Sequence, residues 1–340
     1  MIIARAPLRI SFVGGGTDLP DFYHRYPGRV ISTAIDKFVY LVINRTPLIP
    51  KVSARYSISE TVDHPAKLQH TRIKAALLDL GIEKGIEIGS FASLPAKTGL
   101  GSSSSFSVAL MKGLHAYLGK TLNSREAAEA ASRLEIELVK EPIGKQDQYA
   151  AAFGGLNVFQ FNPDDSVDVK PVFLDYKKRL LLEDHLILFF TGLSRDASSI
   201  LTEQKANIAK KDKFKTLSQM ANSVHDFVKL LEAGDVKRMG EMLHQGWLQK
   251  KSLTSFTSNN QIDELYETAR EAGAWGGKVL GAGGGGCLMF FAPLEKKEVT
   301  IEALKNKAEK LGLQEHRLIP VKFIQSGVEI LFNHDHYHKL

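Results

Sequence analysis

Leu94-Pro95-Ala96-Lys97-Thr98-Gly99-Leu100-Gly101-Ser102-Ser103-Ser104-Ser105 joins a short strand-like run, Ile86 to Phe91, to a helical pattern. In that pattern Phe106, Leu110, Leu114 and Tyr117 recur at helical spacing and Gly119 closes it. The small residues let the backbone approach a ligand closely, and the helix begins at once. Exposed N–H groups and the helix dipole then cradle a phosphate, and serine hydroxyls are at hand for a phosphate oxygen or Mg²⁺. A tight, serine-capped turn is the plain alternative. Four serines are more than one cap requires, which favours the anion.

Outward from this loop the chain reads as α+β. Arg9 to Val13 alternates before Gly14-Gly15-Gly16, and Phe38 to Ile43 is β-branched and aromatic. Lys67 to Leu80 is predicted helical, with Gly81 just past its end. Ser124 is the expected cap of a helix running through Glu135 toward Lys140, before Pro142. Gly154 to Phe161 reads as a strand, and charged Tyr176 to Arg179 as a place for a domain boundary. Beyond it come an apolar strand at Leu186 to Phe190, two or three amphipathic helices up to Ala272, and glycine-rich Gly281 to Gly286. A strand at Cys287 to Phe291, a helix around Ile301 to Leu311, and strands near Val321 and Val328 complete the pattern. Strands and helices in uneven order argue against a regular βαβ winding.

Composition narrows the function. The 340 residues are 44% hydrophobic and 24% charged, a globular balance. The net charge of +6 is spread along the chain, without the clustered stripe or interleaved aromatics that nucleic-acid binding would want. It suits an anionic small molecule. The single cysteine, Cys287, excludes an intrachain disulfide and points to a reducing compartment. Met1 to Pro7 lacks the apolar run of a signal peptide, and Leu186 to Phe190 falls far short of the roughly 20 residues of a membrane span. The expectation is a cytoplasmic protein with no nucleic-acid or membrane partner; the oligomeric state is not specified.

Standard nucleotide motifs fail. No G-x-x-x-x-G-K-[ST] occurs, which removes a P-loop NTPase. Gly281-Ala282-Gly283-Gly284-Gly285-Gly286 matches G-x-G-x-x-G by letter, but the strand-like Cys287 to Phe291 follows where a dinucleotide fingerprint opens a helix.

Three segments taken together are specific. Arg5-Ala6-Pro7-Leu8-Arg9 through Gly14-Gly15-Gly16-Thr17-Asp18, the loop from Pro95 to Ser104, and Lys278 to Gly285 resemble, in order, the signature motifs of the GHMP kinases. Glu135, followed twelve residues later by Asp147 in Gly144-Lys145-Gln146-Asp147-Gln148-Tyr149, resembles the magnesium-ligand and catalytic-aspartate pair of galactokinase-like members. The resemblance implies a two-domain α+β fold, with a ribosomal-S5-like domain over 1–180 and a ferredoxin-like domain over 181–340. It implies ATP and Mg²⁺ as cofactors. Pro95, Gly99, Leu100, Gly101, Ser102, Ser103, Ser104, Gly283 and Gly284 would hold the nucleotide, and Ser103 and Glu135 the Mg²⁺. Asp147 would orient the acceptor hydroxyl and take its proton late, and Arg9 would offset charge on Asp147 or on the γ-phosphate.

Galactokinase-like members carry Glu-His where this chain has Gly15-Gly16, although Thr17-Asp18 remains to meet a sugar. The wider pattern, Gly14 to Pro20, Thr191 to Arg195 and Ile262 to Tyr266, resembles the D-glycero-D-manno-heptose 7-phosphate kinases, which phosphorylate the anomeric hydroxyl of a sugar phosphate. Such an acceptor needs cations for its own phosphate. Arg72 and Arg195 are the choices, ahead of Lys74, His24 and Arg25. Another acceptor (fucose, an octose phosphate, a non-sugar alcohol) and an inactive nucleotide-binding regulator are the alternatives. The five lysines of Lys205 to Lys215 read as a solvated face, and His334 to His338 as a plain tail.

Overall fold

The computed structural model describes residues 1–193, 197–254 and 256–334. The chain's first strand, Ile2–Val13 (β1), explains the organisation of its first half. Ile2, Ala4, Ala6, Leu8, Ile10 and Phe12 alternate along one buried face. From Pro7 onward the opposite face is buried as well, because the loop around Gly99 and the second half of the chain cover it. Gly28–Arg45 (β2) pairs antiparallel with β1 along most of its length. The other strands of this half are Val52–Arg55 (β3), Ser59–Val62 (β4), Ile86–Ala92 (β5), Leu156–Phe161 (β6) and Val167–Pro171 (β7). β2 is shared: its first part pairs with β6 and its second part with β5.

The helices of this half are Pro20–Tyr23 (α1), Thr71–Asp79 (α2), Ser102–Tyr117 (α3), Ser124–Arg133 (α4) and Gln146–Phe153 (α5). α3 lies on β1 and β2 closely enough that a Cβ at Gly113 would come within 2.7 Å of Ile43 Cδ1. Asn123, not Ser124, caps α4, because Glu126 three residues later completes a reciprocal capping box with it. α4 continues as a π-helical turn, Leu134–Leu138. α2 starts at Thr71 rather than Lys67, since Pro65–Lys67 forms a separate 3₁₀ turn and His70 caps the helix. The short helix α5, which carries Asp147, was not legible in the sequence, where Pro142 and Gly144 only signal a break.

The second half opens with Tyr176–His185 (α6), so a boundary between 180 and 181 would cut a helix. Leu186–Phe190 (β8), Gly276–Val279 (β9), Cys287–Phe291 (β10) and Arg317–Leu318 (β11) form an antiparallel sheet in the order β11-β8-β10-β9. Among the described residues four helices, not two or three, lie between β8 and β9: Ala197–Asn207 (α7), Lys211–Ala233 (α8), Val236–Lys251 (α9) and Asn260–Glu271 (α10). Leu294–Lys310 (α11) begins seven residues before the expected Ile301. Near Val321 there is only a bridge between Ile35 and Phe323. The last strand, Glu329–Asn333 (β12), returns to pair with β1 and covers that edge of the first sheet.

The central strands of the second sheet are buried on both faces. Leu186, Leu188 and Phe190 of β8, with Cys287, Met289 and Phe291 of β10, face a core continuous with that of the first half. Ile187, Phe189, Leu288 and Phe290 face a second core with Trp247 and Tyr266. Phe12 sits at the junction, with ring centroids 5.4 Å from Phe227, 6.4 Å from Phe291 and 6.2 Å from Phe323. No helix among the described residues is long and apolar enough to cross a membrane. Replacing Phe12 by Ala removes the ring common to both halves and is expected to cost about 3–5 kcal/mol of stability. Urea unfolding followed by circular dichroism measures that loss.

Candidate active site

The end of β1, the start of α3, the start of α5 and the loop between β9 and β10 surround one cavity of about 380 Å³. Its shape depends on close backbone contacts. Gly99 and Gly101 have φ of +79° and +76°, and Gly101 occupies the N-cap position of α3. A Cβ at Gly99 would lie 2.6 Å from Leu280 O, and one at Gly281 (φ +70°) would lie 2.9 Å from Gly99 Cα. Cys287 N–H donates to Thr98 O at 2.9 Å. The loop from Thr98 to Gly101 and the third glycine segment are therefore one folded unit.

Within α3 the first i→i−4 bond runs from Ser105 N to Gly101 O, which leaves the amides of Ser102, Ser103 and Ser104 without an intrahelical acceptor at the cavity. The serines divide their work. Ser103 is exposed on the cavity. Ser104 Oγ donates to Glu135 Oε2 at 2.9 Å, and Ser105 Oγ to Pro7 O at 2.7 Å. Two of the four serines thus bind the core rather than a ligand.

Arg9 reaches the cavity floor from β1 and is 3% exposed. Its Nε and Nη2 donate to Asp147 Oδ1 and Oδ2 at 2.8 and 2.7 Å, and its Nη1 donates to Gly99 O at 2.7 Å. Of the two roles expected for Arg9, the geometry serves the one toward Asp147. Asp147, in the first turn of α5, remains partly open to the cavity. Asp18 is buried nearby and accepts from Gly16 N–H, Gln146 N–H and Gln146 Nε2 at 3.0 to 3.2 Å. Burial, with the charge of Asp147 second, pushes the Asp18 carboxyl up to about 6. Gly144 makes room for it, since a Cβ there would sit 2.1 Å from Asp18 Oδ2.

Other expected residues are placed differently. Thr17 is fully buried and off the cavity. Its hydroxyl lies 2.8 Å from Gly14 O and accepts Arg29 N–H at 2.9 Å, a latch across the β1–β2 turn. Pro95 is exposed and does not line the cavity. Leu100 is buried and accepts Arg9 N–H through its carbonyl. Gly283 lines the cavity, whereas Gly284 is turned to Thr257 O. Arg72 reaches the wall, but its Nε and Nη2 are paired with Glu135 and Glu141 at 3.0 and 2.7 Å. His24 pairs with Asp165, and Arg25 lies over the Phe214 ring; neither lines the cavity, nor does Lys74. Arg195 lies outside the described residues, as does the tail beyond His334.

Ser103 and Glu135, expected together at Mg²⁺, are not brought together. Glu135 is fully buried in the π turn. Its Oε1 accepts from Arg72 and Ser107, and its Oε2 from Ser104 and Gln148. Those four donors fill the four lone-pair sites of the carboxylate, so Glu135 does not fit a metal ion in this arrangement.

Sequence reading missed two lysines. Lys278 Nζ donates to Ser11 O and Phe12 O at 3.0 Å each and ties β9 to β1. Lys250, in the last turn of α9, donates to Gly281 O. Both are buried at the cavity, and burial drives Lys278 well below the usual lysine range and Lys250 down to about 8. Lys278 stood within a quoted motif. Lys250, next to Lys251 at a helix end, carried no signal. Around the cavity Arg9, Arg72, Lys97 and Lys250, leaving Lys278 aside, outnumber Asp18, Glu141 and Asp147 by four to three, a balance that suits an anion.

Unbonded amides at a helix start, a partly open aspartate and a cationic wall are the groups that phosphoryl transfer calls for. The chain belongs to the GHMP kinases. The model of their N-terminal domain matches residues 69–155 and that of their C-terminal domain residues 227–311. It is an ATP-dependent small-molecule kinase. It is 29% identical to D-glycero-alpha-D-manno-heptose 7-phosphate kinase of Campylobacter jejuni, over 90% of this chain and 94% of that one. The crystal structure of a D-glycero-D-manno-heptose 1-phosphate kinase from Bacteroides thetaiotaomicron superposes with a TM-score of 0.80 at 26% identity, covering 98% of this chain and all of that one. Lactococcus lactis galactokinase, solved with galactose, shares the fold with a TM-score of 0.76 at 19% identity, over 97% and 95% of the two chains.

Gly281→Ala would force a side chain into the backbone of Gly99 at a left-handed position. The variant is expected to bind ATP about fivefold or more weakly, since the lost close approach and strain exceed about 1 kcal/mol. Fluorescence titration with a labelled nucleotide measures the change.

Proposed function

We propose that this kinase transfers the γ-phosphoryl group of ATP to the anomeric hydroxyl of D-glycero-D-manno-heptose 7-phosphate, giving the 1,7-bisphosphate. The observation that carries the chemistry is the bidentate Arg9–Asp147 pair on the floor of the cavity. Arg9 fixes the orientation of the Asp147 carboxylate while each oxygen keeps a lone pair for the acceptor hydroxyl. In the proposed step the acceptor oxygen forms a bond to the γ-phosphorus and the bond to the β–γ bridging oxygen breaks. ADP leaves with that electron pair, and the hydroxyl proton passes to Asp147 late in the transfer. The amides of Ser102 to Ser104 are the proposed hold on the polyphosphate, with their hydrogen bonds strongest where negative charge collects.

The similarity to the Campylobacter jejuni heptose 7-phosphate kinase supports the acceptor. Gly15 and Gly16 also line the cavity, leaving open the space that a Glu-His pair would fill and favouring a larger sugar. Asp18, with one carboxylate lone pair left after three hydrogen bonds, is the proposed partner of a sugar hydroxyl. Arg72 and Arg195 are the proposed partners of the acceptor's own phosphate; the ion pairs of Arg72 hold its guanidinium at the cavity wall.

A ³¹P NMR time course with Mg-ATP and separate heptose 7-phosphate, fucose, galactose and mannose samples tests the acceptor. A new anomeric phosphate resonance with the heptose alone is expected. Phosphorylation of another sugar in preference to it would replace the acceptor proposed here. Asp147→Asn is expected to lower kcat by about 100-fold or more with ATP affinity nearly intact, as for a group acting in the transition state. Unchanged turnover would remove Asp147 from the mechanism.

A further inference from the structure

Three of the five N–H donors of Arg9, the motif cation, go to Asp147 and Gly99, and the Asp147 carboxylate offsets its charge. The second half of the chain brings another cation. Lys250 is 7% exposed and forms no ion pair with a carboxylate among the described residues. Its Nζ donates to the Gly281 carbonyl, which belongs to the segment packed on Gly99. An ammonium has three donors, so two remain. Lys278 differs, because two backbone carbonyls of β1 already hold it.

The position of Lys250 is informative. It lines the same cavity as Ser102 to Ser104 on the nucleotide side and Asp147 and Asp18 on the acceptor side. Burial lowers its affinity for a proton, Arg9 lowers it further, and Asp18 and Asp147 oppose both. A buried cation with no carboxylate in contact is costly until an anion arrives. We infer that Lys250 is a catalytic residue whose ammonium contacts the γ-phosphoryl group of ATP and offsets the charge on it during transfer. This rests on the phosphoryl-transfer reading of the cavity and is independent of which acceptor fills it.

Calorimetric titrations with ADP and with AMP-PNP, a triphosphate that is not transferred, isolate the γ-phosphoryl contact without any acceptor. At pH 7, Lys250→Met is expected to bind AMP-PNP about tenfold or more weakly, the loss of one charge-assisted hydrogen bond, while ADP affinity stays within about twofold. Its melting temperature should equal or exceed that of the wild type, since an unpaired buried charge is gone. Equal weakening of both nucleotides, or weakening of neither, overturns the inference.

A second variant covers the case in which Lys250→Met does not fold. The charged groups facing Lys250 are Arg9 on β1, Asp18 after it, Asp147 on α5 and Lys278 on β9. In the wild type the preference for AMP-PNP over ADP should decline as pH rises through about 8, where Lys250 loses its proton. Lys250→Arg keeps its charge throughout and should hold that preference to higher pH. An identical pH profile in Lys250→Arg overturns the inference. Failure of heptose phosphorylation in the NMR experiment would leave these nucleotide titrations unaffected.

Discussion

The guanidinium of Arg9 lies where β1, the phosphate loop and α5 meet, and its three hydrogen bonds connect all of them. Two go to the carboxylate of Asp147 and one to the carbonyl of Gly99. A planar fork with fixed donor directions holds both partners at defined angles, which a flexible ammonium would not do. Arg9 N–H also bonds Leu100 O, so the strand positions the loop through main chain and side chain together. A buried guanidinium is tolerated here because the Asp147 carboxylate neutralises it and three of its N–H donors are bonded.

The loop around Gly99 needs a second support, and the other half of the chain gives it. Gly99 and Gly281 approach so closely that neither position accepts a Cβ. Thr98 O and Cys287 N close a backbone hydrogen bond beside them. Lys278 joins β9 to β1 from below, and the core around Phe12 runs through both sheets. These contacts make the cavity a joint product of the two halves. The side lined by Ser102 to Ser104 and the side lined by Asp18 and Asp147 are held by one continuous set of packed and hydrogen-bonded groups.

The buried charges of the cavity are balanced against one another incompletely. Asp18 is pushed up to about 6 and Lys250 down to about 8, each chiefly by loss of water. Both retain the hydrogen-bonding capacity for a partner that the protein itself does not supply. Asp18 offers an acceptor beside Asp147, and Lys250 offers donors beside the phosphate loop. Glu135 is the contrasting case. It is buried as deeply, yet Arg72, Ser104, Ser107 and Gln148 satisfy it completely, so it organises the joint between α2, α3 and the π turn.

The sequence by itself determined the α+β class, the strand after Gly286, the helix after Gly101 and the glycine-rich turn that opens that helix. Those features rest on local rules: periodicity, capping chemistry and the turns that glycine permits. It also singled out Arg9, Asp18 and Asp147, since they lie in or beside short motifs. Other assignments required contacts between distant residues. Ser104 rather than Ser103 faces Glu135 because successive helical residues point about 100° apart, and only packing of α3 on the π turn decides which one points inward. Thr17 proved to be a latch, since its hydroxyl meets Arg29 across a turn. Lys250 looks like any surface lysine in its own helix. Burial, the Gly281 carbonyl and the nearby carboxylates come from three other parts of the chain, so only the tertiary structure decided its place.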